Sequence, residues 1–278
     1  MAARPSGRPV LVSAALAFCL RAGLFASASY VHPGSFMAPD SHGYEALGRS
    51  LLHDGRFADG PGRPAQTRRT PGLPLLIAAV YAVAGEDPRA VVWVGIALSA
   101  LTVALAAWLA HRLWGERAAW IAGLLLALAV PSVTSSRLLL TETPFAALLL
   151  AATAAAVCLL VEGRPRAWRA FLMGTLLAAA ALTRPIGLLL VIPASLWLVL
   201  CGRTLRWSPR STAWVLAAFA VPWILMVGGW QARNRIAAGA LVASDGPAKF
   251  LYFSRGSEER RVGKECSVTC RSRWSPYH

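Results

Sequence analysis

Asp40, Ser41, His42, Tyr44, Glu45 and Asp54 fall within one short stretch, MAPDSHGYEALGRSLLHDGRF (37–57), of a chain that is otherwise strongly apolar. A carboxylate there can act as a general base, taking a proton from an attacking hydroxyl. Further groups suited to such chemistry lie far away in sequence: Glu142 in LLLTETPF, Arg184 in ALTRP, Arg233 and Arg235 in WQARNRIAAG, and Arg68 and Arg69 in TRRTPG. Arginine keeps its charge near hydrocarbon, and its planar fork matches phosphate oxygens. Asp40, Ser41 and His42 are adjacent, so they cannot aim at one another as a nucleophilic triad does. A divalent metal held by Asp40, His42 and Glu142 stays open, since the spacing carries no strong metal signature. Glycine-rich phosphate loops and Walker motifs are absent, which argues against ATP or a nucleotide sugar as the direct ligand.

These residues need elements to bring them together, and the composition says what kind. The chain has 278 residues, 56% of them hydrophobic and only 15% charged, with a mean hydropathy of +0.51. Soluble domains carry about a quarter charged residues, so the expected class is a multi-pass membrane protein. The formal charge of +15 is almost all arginine, with lysine only at 249 and 264. Its scatter between apolar runs fits the basic short loops of membrane proteins and not a nucleic-acid surface. Cys19, Cys158 and Cys201 sit singly in apolar runs, and no disulfide framework is visible.

Apolar runs measured against the ~20 residues of a bilayer crossing predict about seven spans, roughly 9–31, 88–111, 118–136, 143–161, 168–184, 186–201 and 212–230. The run 71–85 covers only about 22 Å at 1.5 Å per residue and is expected to lie at the interface. Basic loops at 111–117, 164–169 and 203–210, with Arg4 and Arg8 at the N-terminus, should be cytoplasmic. That puts the 32–87 loop, and the segments around 137–142, 184 and beyond 231, on the external face. A cleaved signal peptide within residues 1–28 would leave this arrangement unchanged. Arg21 has two readings, a functional intramembrane charge or a side chain snorkelling to the outer interface.

The last stretch, GSEERRVGKECSVTCRSRWSPYH (256–278), resembles the translation of a short-read sequencing adapter. It includes Cys266 and Cys270, whose spacing is not that of a metal pair. It is therefore set apart as an artefactual tail, and the product is expected to be C-terminally truncated.

In order and spacing, APDSHGYEALGRSLLHDGRF, RRTPGLPLLIAAVYAVAG, LLLTETPF, ALTRP and ARNRIAAGALVASDG resemble the GT-C glycosyltransferases of the protein mannosyltransferase and aminoarabinose-transferase type. The resemblance implies an all-α polytopic transmembrane helical bundle, with residues 1–255 forming the N-terminal part of one module and juxtamembrane helices in the first external loop. It implies an enzyme that takes a sugar from a polyprenyl-phosphate donor to a lipid or protein acceptor. Its home would be a bacterial inner membrane, with the site on the periplasmic side. Carried over by position, Asp40 matches the catalytic acid, Glu142 a second acid of the same site, and Tyr44 a recurrent aromatic. Ser41 stands where many relatives have a second acid. Arg184 and Arg233, with Arg69 as a weaker candidate beside Arg68, are the expected phosphate-binding cations. The competing reading is a transporter or flippase of lipid-linked sugars, with Arg21 in its favour; an inactive fragment is a third.

Overall fold

The computed structural model describes residues 7–239 and 242–244; the adapter-like tail and both lysines lie outside them. The helices in chain order are α1 (Arg8–Val31), α2 (Pro39–Asp54), α3 (Gly72–Ala84), α4 (Pro88–Trp114), α5 (Glu116–Leu128) and α6 (Val130–Ser136). Then come α7 (Glu142–Glu162), α8 (Ala167–Thr183), α9 (Val191–Thr204), α10 (Pro209–Trp223) and α11 (Gly229–Ala238). A 3₁₀ turn (Pro185–Leu190) leads into α9, and a π turn (Ile224–Gly228) joins α10 to α11. Among the described residues no strand forms, so the fold is an all-α polytopic bundle.

Sequence signals set many of these ends. Asp87 caps α4 by accepting from the Arg89 N–H at 2.9 Å, and Pro88 opens the helix where a missing N–H does no harm. Ser208 and Pro209 start α10 in the same way. Large apolar side chains such as Ile121, Leu125, Ile192, Ile224 and Leu225 face outward, as lipid contact requires.

Five helical segments are long and apolar enough to cross a membrane: Arg8–Val31, Pro88–Trp114, Glu142–Glu162, Pro185–Thr204 and Pro209–Ala238. The pair α5 and α6, bent by 55°, makes a sixth if it counts as one broken span. The expected span 168–184 is a short helix, at the lower end of the roughly 17–25 residues a crossing takes, and it runs from the basic end of the bundle to Arg184 at the other. This helix, α8, has 17 residues, about 25 Å against a ~30 Å core. The residue before a proline is disfavoured in the α region, and Arg184, ahead of Pro185, is extended (φ −138°, ψ 131°), so the helix stops at Thr183. The 13-residue α3 is shorter still and does not span, as its length predicts.

Two apolar cores hold the bundle. One lies under α7 to α10, with Leu159, Met173, Leu177, Leu198, Val215 and Phe219. The other seats α3 on α1 and α4, with Phe25, Ile77, Tyr81, Val92 and Ile96. Lipid tails are as apolar as leucine, so close approach, not hydrophobicity, must favour helix association inside the bilayer. Gly174 is where α8 meets α10: a methyl there would overlap the Phe219 carbonyl oxygen.

Of the two readings of Arg21, snorkelling fails, because the side chain is fully buried. It donates to the carbonyls of Ala17 (3.1 Å), Ala127 (3.0 Å) and Leu126 (3.2 Å) and to Ser132 Oγ (3.0 Å). The acceptors at 126 and 127 are freed where α5 breaks before Pro131, which has no N–H to offer. In hydrocarbon each unpaired backbone group costs several kcal/mol, so an internal donor is needed.

Gly174→Ala should separate α8 from α10, because backbone cannot yield as a side-chain end can. We expect a loss of about 1–3 kcal/mol, read as a lower melting temperature of the detergent-solubilised protein. Alanine at Gly23, which has open space around it, should leave the melt unchanged.

Candidate functional site

The chemistry-bearing residues converge at one end of the bundle because short ties hold its connecting segments together. Asp40 lies in the first turn of α2, where the helix dipole favours a carboxylate. Beside it, Ser41 accepts from the Ala38 N–H (2.9 Å) and donates to the Leu139 carbonyl (2.8 Å). The Leu139 N–H in turn donates to the Phe36 carbonyl at 3.2 Å. The segment leading into α7, and hence Glu142, is thereby fastened to the start of α2. Because the Ser41 hydroxyl is spent on this tie, no triad with His42 forms. The loop before α3 is fixed in the same manner: Thr70 donates to the Thr183 carbonyl at 2.8 Å, next to Arg184.

Two acid–guanidinium pairs result. Arg69 Nη2 reaches Asp40 Oδ1 at 3.1 Å, and its Nη1 donates to the Asp40 carbonyl at 2.6 Å. Its guanidinium stacks 4.3 Å from the centroid of the Tyr44 ring. Only a glycine leaves room for it, since a Cβ at Gly43 would stand 2.7 Å from the guanidinium carbon. Arg184 Nη1 pairs with Glu142 Oε1 at 2.7 Å. The other carboxylate oxygen, Glu142 Oε2, is buried with no hydrogen-bond partner among the described residues.

Tyr44 sits within electrostatic reach of all four charges. Burial first pushes its hydroxyl pKa above the usual value; Asp40 and Glu142 add to this, while Arg69 and Arg184 oppose it. It is therefore a neutral hydroxyl at physiological pH. On the far side of α2 a second network forms: Arg49 bridges Glu45 (2.9 Å) and Glu86 (2.6 Å), and the Tyr81 hydroxyl donates to Glu45 at 3.1 Å. Burial first, and then Glu45, raises the Tyr81 hydroxyl pKa well above its usual value.

Arg233 is placed elsewhere. Its Nη2 donates to the Phe57 carbonyl (3.1 Å) and its Nη1 to the Gln66 carbonyl (3.0 Å) and Asn234 Oδ1 (2.9 Å). It stacks between Phe57 and Trp230, and a 640 Å³ cleft opens beside it. Among the described residues it makes no ion pair, so its contacts are those of a clamp on the 57–66 loop. Arg68 is exposed, and Arg235 donates to the Gly239 carbonyl. The roles of Arg69 and Ser41 could not be read from spacing alone; the small Gly43, one turn of helix after Asp40, was the available signal.

Asp40, His42 and Glu142 do not assemble as metal ligands, and among the described residues no three of His, Cys, Asp or Glu gather to hold an ion. Asp40 already faces a guanidinium, which a cation at that position would oppose.

A family model described as dolichyl-phosphate-mannose-protein mannosyltransferase matches residues 68–230, more than half of the chain. The chain belongs to this family. It is thus an integral membrane protein of a mannosyltransferase-type glycosyltransferase family. The match contains Arg69, Glu142 and Arg184, while Asp40 and Tyr44 precede it and Arg233 follows it. No curated protein and no solved structure matches the chain.

Gly43→Ala should push the Arg69 guanidinium off Asp40 without unfolding α2, since the displaced atoms end a flexible side chain. Glycosyl transfer should fall by about 10²-fold, the scale of a ~1 Å misplacement, at an unchanged melting temperature. The tyrosine shifts predict a separate pH effect. A folded-state pKa raised above the unfolded ~10 gives stability that is fully present below pH 10. That stability is lost as pH rises through the folded value. Melting temperature followed from pH 8 to 12 should fall at the alkaline end, and Tyr81→Phe should flatten that fall.

Proposed function

We propose that the protein transfers a sugar from a polyprenyl-phosphate-linked donor to a lipid or protein acceptor at the external membrane face, by inverting displacement. The observation that carries this reading is the convergence of Asp40, Arg69, Glu142 and Arg184 around Tyr44 at one end of the bundle. A donor anchored in lipid must react at headgroup level, and that is where loops between spanning helices lie.

In this reading Asp40 is the base. Its Oδ1 is held by Arg69, and its largely exposed carboxylate (76%) leaves Oδ2 free of partners. The acceptor oxygen attacks the anomeric carbon as the bond from that carbon to the phosphate oxygen breaks. The acceptor proton passes to Asp40, and the electron pair leaves with the phosphate. A carboxylate is a weak base for an alcohol, so the proton moves late, after attack has acidified it. Glu142, whose side chain is partly exposed, would accept a hydroxyl of the substrate once its pair with Arg184 opens. Arg184 would meet the growing phosphate charge. Its pair with Glu142 is partly exposed (36% and 43%) and so worth about 0–1 kcal/mol; a phosphate can displace or share it. Arg233 supports the loop and need not touch the phosphate.

The external location is supported by the opposite end of the bundle. There His111 and Arg112, Arg164 to Arg169, and Arg203 to Arg210 gather at the ends of α4, α7–α8 and α9–α10, as cytoplasmic loops do. A bacterial inner membrane with a periplasmic site is part of this reading, and residues 1–255 are proposed as the N-terminal part of one module. The transporter alternative loses its one favourable feature, because Arg21 is spent on backbone carbonyls.

Asp40→Asn in the membrane-inserted protein should lower transfer by at least about 10²-fold, the lower bound for loss of a general base. Insertion and melting temperature should be unchanged, and a cysteine at position 40 should react with impermeant reagents from outside only. A well-folded Asp40→Asn protein with normal turnover would remove the proposed base.

A further inference from the structure

Arg21 lies in α1, none of its atoms enters the candidate site, and its side chain is fully buried. One of its four hydrogen bonds stays within α1, to the Ala17 carbonyl. The other three cross to the break between α5 and α6. They grip both sides of it: Leu126 and Ala127 carbonyls before the break, Ser132 Oγ after it. Capping the freed carbonyls would need only a donor. A rigid fork holding both flanks also fixes the angle between them. The close packing of α1 on α5 supports this fixed placement, with Gly123 leaving room for Ser13 and Ala17 buried against Ala127.

That angle has consequences a few residues on. The helix α6 has 7 residues and is about 10 Å long. Swinging it through the observed 55° would move its far end by roughly that length. The far end leads to Leu139, which is tied to Phe36 and Ser41, and then to Glu142, which meets Arg184. A straightened span would pull Leu139 from α2 and carry Glu142 out of the cluster.

We propose that Arg21 is a positioning residue: by gripping both flanks of the α5–α6 break it sets the bend that delivers Glu142 to the cluster around Tyr44. The proposal rests on the assignment of Glu142 to the transfer site.

The test uses Arg21→Met, Pro131→Ala and their combination in the membrane-inserted chain. Pro131→Ala restores an N–H that can serve the Ala127 carbonyl, so the double variant can close the helix and remain folded even if Arg21→Met alone does not. Spin labels at His53 on α2 and Thr134 on α6, in a cysteine-free background, report the bend without reference to activity. The double variant should show a shifted or broadened distance, a monodisperse elution profile, and kcat for transfer from a polyprenyl-phosphate mannose donor at least ten-fold lower. Its KM for the donor should change much less than kcat. Arg21→Lys, which can grip fewer acceptors at once, should give an intermediate distance and intermediate kcat. A narrow, wild-type distance in the double variant would overturn the proposal whatever the activity. Glu142→Gln in the otherwise wild-type protein isolates the other assumption. Normal turnover there would refute the site assignment, while a distance in the double variant shifted beyond that of Pro131→Ala alone would still uphold control of the bend by Arg21; equal distances in the two would overturn it.

Discussion

Inside hydrocarbon every backbone N–H and C=O must find a partner within the protein, and this bundle meets that demand at three proline-marked breaks. Pro131 parts α5 from α6, Pro185 ends α8, and Pro222 precedes the π turn between α10 and α11. Each break frees carbonyls, and each has its own remedy. Arg21 serves Leu126 and Ala127. Thr70 serves Thr183, while Gly187 N–H serves Arg184. At the third, the chain re-closes as a π turn, which keeps bonding at a wider pitch. The first two remedies also join elements far apart in sequence, α1 to α5–α6 and the α3 loop to α8. The same bonds that make the breaks tolerable therefore bring Glu142 and Arg184 to the end of the bundle where Asp40 begins α2.

The electrostatics of that end follow from the pairing. Two acids face two guanidiniums, so the cluster is close to neutral and needs no buried uncompensated charge. Asp40 is largely exposed and the Glu142–Arg184 pair partly so, which keeps both pairs weak. For the proposed reaction weak pairs would be useful, because an incoming phosphate could take over part of the arginine hydrogen bonding at little cost. A guanidinium has five N–H donors and can keep its carboxylate while meeting a phosphate. Tyr44 remains a neutral donor in the middle, held so chiefly by burial.

Much of this was legible in the sequence, and what was not has physical causes. Apolar runs and basic loops told the class, the shortness of α3 and the shared end of Asp40, Glu142 and Arg184. They did so because lipid thickness and charge placement act on composition. The end of α8 was legible in Arg184-Pro185, because the residue before a proline is pushed out of the α region. The partners of Arg21 could not be read, because a charge in an apolar run says nothing about them; three of the four acceptors lie more than a hundred residues away. Arg233 was expected on phosphate and instead clamps the 57–66 loop, a contact between distant segments that spacing cannot show. Arg69 gained weight for the converse reason, since Gly43 opens the one place where its guanidinium can reach Asp40.

The family match begins at Arg68, so Asp40 could have been an ordinary loop acid outside the shared module. The contacts argue otherwise. Arg69, inside the match, binds both the carboxylate and the carbonyl of Asp40 and stacks on Tyr44. Ser41 binds the carbonyl of Leu139, also inside it. Ile77 of α3 fills the space left by Gly48 of α2. A helix held at its first turn by two separate segments of the module, and along its length by α3, cannot move independently of Glu142 and Arg184. The start of α2 thus packs with the residues of the match, a placement that the proposed role of Asp40 as base requires.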